Sequence, residues 1–124
     1  MAAMTYATVG TNRLEEAKAF YDDLLGGIGL TVFGDHPRGG RMYLKDGTLN
    51  FAVLQPFDGA PATAGNGTMI SFSFDTRAEV DAFHARILAL GGTDEGEPRV
   101  RGPNWYFAYG RDLDGNKLCA FTVN

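Results

Sequence analysis

The chain has 124 residues, 44% of them apolar and 21% charged, which suits one globular domain with a buried core and excludes a disordered or fibrous chain. Its formal net charge is -4 and its 11 Lys and Arg residues are scattered rather than gathered into a stripe, which argues against a nucleic-acid partner. No run reaches the roughly 18 apolar residues of a membrane span, the start lacks a secretory pattern, and the lone Cys119 allows no internal disulfide. A cytoplasmic protein without a membrane partner is therefore expected.

In chain order, the first strand is expected over Thr5–Gly10. Asn12-Arg13-Leu14-Glu15 then has the form of a helix capping box, followed at helical spacing by Leu14, Ala17, Tyr21, Leu24 and Leu25, with Gly26-Gly27 as the stop. Three strands follow at about Leu30–Gly34, Arg41–Lys45 and Leu49–Leu54, with Asp46-Gly47 as a hairpin turn before the last. Gln55 to Gly67, rich in Pro, Gly, Ala and Thr, is too punctuated for an element and reads as a linker.

The plan then repeats. A strand at Thr68–Phe74 leads to a second capping box, Thr76-Arg77-Ala78-Glu79, and to a stripe of Val80, Phe83, Ile87 and Leu88 before Gly91-Gly92. Strands at Thr93–Arg101, Trp105–Arg111 and Lys117–Val123 complete it, with Asp114-Gly115 before the last. A shift of 63 residues sets Ala17 on Val80, Phe20 on Phe83, Leu24 on Ile87 and Leu25 on Leu88. The expected fold class is α+β, built from two β-α-β-β-β modules at about 4–55 and 68–124 with a linker over about 56–67.

The paired plan, the Phe20-Tyr21 helix, Gly65-Asn66-Gly67-Thr68 before the fifth strand and the Arg111-Asp112-Leu113-Asp114-Gly115-Asn116-Lys117 turn resemble the vicinal oxygen chelate family of glyoxalases, bleomycin-resistance proteins and dioxygenases. The turn departs from the family's habit of Pro where Leu113 stands. The resemblance covers nearly the whole chain. It implies an eight-stranded, cleft-shaped mixed sheet with the helices outside, a homodimer, and a divalent metal held by His, Gln or Glu from the first, fourth, fifth and eighth strands. On those positions this chain carries Tyr6, Phe51, Met69 and Cys119.

That quartet lacks the carboxylate, imidazole or multiple thiolate ligands that Mg, Mn, Fe(II) or Zn require, and Met69 with Cys119 alone is a poor Cu(I) site. No metal or other cofactor is expected. Strand alternation adds Thr8, Val53, Ser71 and Phe121 to the lining, and sets Ala7, Val9, Ala52, Ile70, Phe72, Leu118 and Ala120 under the helices. Trp105, Phe107 and Tyr109 share this lining in one register of the 112–116 turn, and Tyr106 replaces them in another. Arg41 and Tyr43 are expected at the cleft mouth, where the guanidinium would take an anion. His36 and His84 read as solvated or structural, Asp112 and Asp114 as turn formers, and Cys119 as an inert thiol.

The resulting candidate ligand-binding set is Tyr6, Thr8, Arg41, Phe51, Met69, Ser71, Trp105, Cys119 and Phe121. It suits a small hydrophobic or aromatic molecule, bound or sequestered without metal as bleomycin-resistance-type relatives do with a drug. Two alternatives stay open. One is a lyase, isomerase or dioxygenase with a displaced or non-metal active site using groups such as Tyr6 and Arg41, and the other is a structural or interaction module with a filled cleft.

Overall fold

A computed structural model of the chain describes residues 1–123; Asn124, the last residue expected in the second module, lies outside them. The element order is β1 (Ala7–Gly10), α1 (Leu14–Gly26), β2 (Thr31–Asp35), β3 (Gly40–Lys45), β4 (Thr48–Leu54), β5 (Ile70–Ser73), α2 (Arg77–Ala89), β6 (Thr93–Val100), β7 (Trp105–Arg111) and β8 (Lys117–Val123). These form two compact units, 1–63 and 64–124. Each holds a four-stranded mixed sheet, ordered β1-β4-β3-β2 in the first and β5-β8-β7-β6 in the second. Among the described residues, no helix is long and apolar enough to cross a membrane.

Both helices bury one stripe, but they begin differently. Thr76 and Glu79 form the expected reciprocal box on α2, each side chain accepting the other's backbone amide. Asn12 does not cap α1. Arg13 holds the cap position without a side-chain capping bond, while Asn12 spends both ends of its amide on the backbone of Ala62 and so pins the linker to the first unit. An Asn-x-x-Glu pattern cannot reveal this, because the competing acceptor and donor lie 50 residues away.

The helices end alike, the first at Gly26 with Gly27 as its cap, as expected. Leu30 donates back to Leu25 and Gly92 to Ile87, with Gly29 and Gly91 at φ +93° and +97° supplying the left-handed residue that each closure needs. Ala17, Phe20, Tyr21 and Leu24 are buried, as are their counterparts Val80, Phe83, His84 and Ile87. The repeat fails at its last pair, since Leu25 is fully buried whereas Leu88 is 40% exposed.

The two sheets differ by one residue of register. In the first, the Asp46-Gly47 turn is a two-residue hairpin with both residues at positive φ, and an irregularity follows in which Leu44 pairs with Leu49 but Tyr43 with Phe51. Asn50 is the extra residue. In the second, residues 112–116 connect Arg111 to its partner Lys117 and the pairing then runs without interruption. Buried Asp112 holds that turn, its carboxylate accepting the amides of Asp114 and Asn116 and the Asn116 side chain, each at 2.9 Å. The expectation of a turn former is met.

Candidate functional site

Directly paired residues of a sheet point to the same face, so the register decides what each helix covers. In the first unit Phe51 pairs with Ala7 and Tyr43, and Val53 with Val9 and Arg41. This is the α1 side. The Phe51 ring lies 4.8 Å from Tyr21 of α1 and 6.2 Å from Tyr43, centroid to centroid, and is 1% exposed. Phe51 and Val53 are therefore core residues, contrary to the sequence expectation. The position equivalent to Cys119, which pairs with Ser71, is Ala52, which pairs with Thr8. Aligning the two Asp-Gly turns misses this because the Asn50 irregularity displaces β4 by one residue.

Arg41 and Tyr43 are corrected in the same way. The Tyr43 hydroxyl donates to Asp22 of α1 at 2.8 Å, and burial together with that bond pushes its pKa up. Arg41 pairs with Asp22 and with Asp35, the latter at 2.8 Å, while Lys18 reaches Asp35 at 3.3 Å. The guanidinium is committed to two carboxylates and is not poised for a ligand's anion. Tyr6, just before β1, and Thr8 are exposed, and Thr8 shares with Ala52 and Met42 the face turned from α1.

These charge pairs set the acid limb of stability. Asp35 is held below the usual carboxylate range by its bond from Arg41 and then by Lys18, Asp94 by His84 and the Gly96 amide, and Glu95 by Arg111. A carboxylate depressed in the fold contributes stability that is complete above its unfolded pKa and is lost as pH falls through the folded value. Thermal midpoints should stay level from neutrality to about pH 5 and then fall below about pH 4. Asp35→Asn should flatten that fall, and an unchanged acid limb would contradict the assignment.

In the second unit Phe72 and Phe74 pack on Phe83 of α2 at 5.2 and 5.3 Å, and the Tyr106 hydroxyl donates to Asp81 of the same helix at 2.7 Å. The opposite face follows by register. Tyr109 pairs with Cys119, Phe107 with Phe121 and Trp105 with Val123, while Ser71 pairs with Cys119. The register that aligns Trp105, Phe107 and Tyr109 with Cys119 is thus the one adopted. Phe107 stacks on Phe121 at 4.9 Å and 17°, with Trp105 and Tyr109 centred 6.4 and 6.2 Å away on either side. Trp105 is 54% exposed. Met69 stands one residue before β5, on the rim of a hollow of about 520 Å³ bordered by Gly65 to Thr68, Arg111 and Lys117.

Cys119, the cross-strand neighbour of Tyr109, is wholly buried. Burial raises its pKa, opposed by a Ser71 hydrogen bond and by the nearby charges of Lys117 and Arg101. The net is a protonated thiol, as expected for an inert one, but its neighbours are not purely apolar. Arg101 and Lys117 are the residues that sequence reasoning missed. Alternation along β8 puts Lys117 on the face of Cys119 and Phe121, but no spacing places Arg101 beside Tyr109.

His84 is buried and meets Asp94 at 2.9 Å, joining α2 to β6, and the His36 ring accepts the Arg38 amide in its own loop; both are structural. Among the described residues no three His, Cys, Asp or Glu side chains converge as a metal site would need. At the family's metal positions stand a phenol, a thioether, a buried thiol and, with the corrected register, the methyl of Ala52. This donor set does not fit a hard or borderline divalent ion.

A profile of the Glyoxalase/Bleomycin resistance protein/Dioxygenase superfamily matches residues 3–120. A crystal structure of a glyoxalase/bleomycin resistance protein from Albidiferax ferrireducens T118 is 40% identical, superposes with a TM-score of 0.83, and is matched over 96% of this chain and 97% of that one. Lactoylglutathione lyase from Agrobacterium tumefaciens shares the fold at 23% identity and a TM-score of 0.73, over 98% of this chain and 94% of that one. So does the genomically encoded fosfomycin resistance protein of Listeria monocytogenes, at 18% identity and 0.75, over 98% and 93%. No curated protein matches the sequence. With two β-α-β-β-β modules, and matches that extend over nearly all its length, the chain belongs to the Glyoxalase/Bleomycin resistance protein/Dioxygenase superfamily.

Proposed function

We propose that the protein binds a small, flat hydrophobic or aromatic molecule without a metal, on the β5–β8 sheet face turned away from α2. The observation that carries this is the row Trp105, Phe107 and Tyr109, with Phe121 stacked beneath its middle ring. The rings of the row are tilted by 36° to 48° to one another and together present an aromatic surface on which a flat ligand can pack by offset or edge-to-face contacts. Met69, Ser71 and Cys119 border it, and Tyr6 and Thr8 belong to the first sheet's counterpart face. Binding rather than turnover is favoured because Cys119 is a protonated thiol, and neither Ser71 nor Tyr109 has a carboxylate or imidazole bonded to it among the described residues. We further propose that it acts in the cytoplasm, where its single thiol stays reduced, and as a homodimer.

Calorimetric titration with a neutral probe, 2-naphthylmethanol, tests this. Saturable binding is expected that survives dialysis against EDTA and is weakened at least about 10-fold by Phe107→Ala, the loss of one stacked ring costing on the order of 1–3 kcal/mol. Light scattering on the same sample should give about twice the 13.4 kDa chain mass. Binding that EDTA abolishes, or that ignores Phe107→Ala, would refute the site.

A further inference from the structure

The aromatic row is bordered by two cations that form no ion pair at bonding distance among the described residues. Arg101 Cζ stands 5.0 Å and Lys117 Nζ 4.9 Å from the centroid of the Tyr109 ring, so one residue at the end of the row gathers two positive charges. Neither meets a carboxylate at ion-pair distance among the described residues. Arg101 spends Nε on the Phe107 carbonyl at 3.2 Å and Nη2 on the Glu97 carbonyl at 2.7 Å, which fixes the guanidinium plane and leaves Nη1 without an acceptor among the described residues. Lys117 Nζ likewise has no hydrogen-bond acceptor among the described residues. Glu95, whose charge Lys117 and Arg111 both stabilise, is already engaged by Arg111 at 2.9 Å.

This cationic end belongs to a chain whose net charge is -4, so it is a local feature and not a reflection of overall composition. An exposed lysine normally dissolves its charge in water, and an arginine on an aromatic face is a common packing arrangement. Here two cations lie against one ring. Arg101 is anchored by two backbone carbonyls and lies against Tyr109, and Lys117 borders both that ring and the hollow of about 520 Å³, a volume within the range of small-molecule sites.

We infer that the ligand is an aromatic carboxylate, its rings lying on Phe107 and Trp105 and its anionic group at the Tyr109 end of the row, where the Arg101 and Lys117 cations stand. The inference rests on the stacking site proposed above and adds the charge of the ligand. A guanidinium or an ammonium gives charge-assisted hydrogen bonds to a carboxylate, whereas a neutral ring system gains only the weaker neutral bonds and a cationic one is repelled. The hollow beside Lys117 leaves room for a ring substituent next to the anion.

The experiment compares 2-naphthoate, 2-naphthylmethanol and 2-naphthylmethylammonium by calorimetry at low ionic strength, with the fluorescence of the single Trp105 as a second signal. Naphthoate should bind at least 10-fold more tightly than the alcohol, and the ammonium more weakly than either. Lys117→Met and Arg101→Met should each remove most of the naphthoate advantage while leaving the alcohol's affinity within two-fold, and Lys45→Met on β3 should change nothing. Thermal melts verify that each variant is folded. Equal affinity for acid and alcohol, unmoved by both substitutions, would overturn the charge assignment while leaving the stacking site standing. If none of the three probes binds, the stacking site itself is wrong and the inference falls with it.

Discussion

Phe51→Ala is expected to lower the free energy of unfolding by about 3–5 kcal/mol, the usual cost of emptying a buried aromatic position. The ring is enclosed by Tyr21 of α1 and Tyr43 of β3, and Ala7 opposite it is too small to close the space. Urea denaturation of the two proteins measures the difference. Affinity for a naphthyl probe, taken where both are folded, should stay within two-fold, because the stacking row is on the other unit's sheet. A loss below about 1 kcal/mol would mean that Phe51 faces open space after all, as would a large change in affinity.

Asp112→Ala is the second substitution with a large expected effect, about 2–4 kcal/mol. Its carboxylate accepts two backbone amides and one side-chain amide, and Asn116 is buried with it, so alanine strands donors that water reaches poorly. Asp112→Asn keeps one acceptor oxygen for the two amides and should recover roughly half of the loss. The readout is again the urea midpoint, joined by hydrogen exchange at Asp114 and Asn116. Exchange at those amides that is no faster in the alanine variant would show that the turn is held by something else.

The architecture was legible in the sequence because its determinants are local. Period-two runs, helical stripes, the Thr76 and Glu79 cap and the Asp-Gly turns each act within a few residues, and the strands β7 and β8 were bounded correctly. The face of β4 was not legible. It depends on where Asn50 is accommodated, and an extra residue in a strand has no composition of its own. Arg41 was misplaced with it, and its partners Asp22 and Asp35 come from other elements. The second sheet's aromatic face was read correctly once one register was chosen for the 112–116 turn. Its charges were overlooked, because nothing in the spacing of Arg101 and Lys117 announces that they converge on Tyr109.

The five-residue connection between β7 and β8 has a bearing on how this lineage can change. Losing one residue from it, with β8 kept in place, would turn Trp105, Phe107 and Tyr109 toward α2 and bring Tyr106 and Ala108 out. The helix side cannot receive them. At Gly110 even an added Cβ would approach Ile87 Cγ2 to 3.0 Å, and the residue that would slide into that place is Tyr109. Under the proposed function, a change of ligand preference would therefore proceed by exchanging one ring or charge at a time on a fixed frame. Among descendants of this chain, residue identities at 105, 107, 109 and 121 should drift while the length of the 112–116 loop does not.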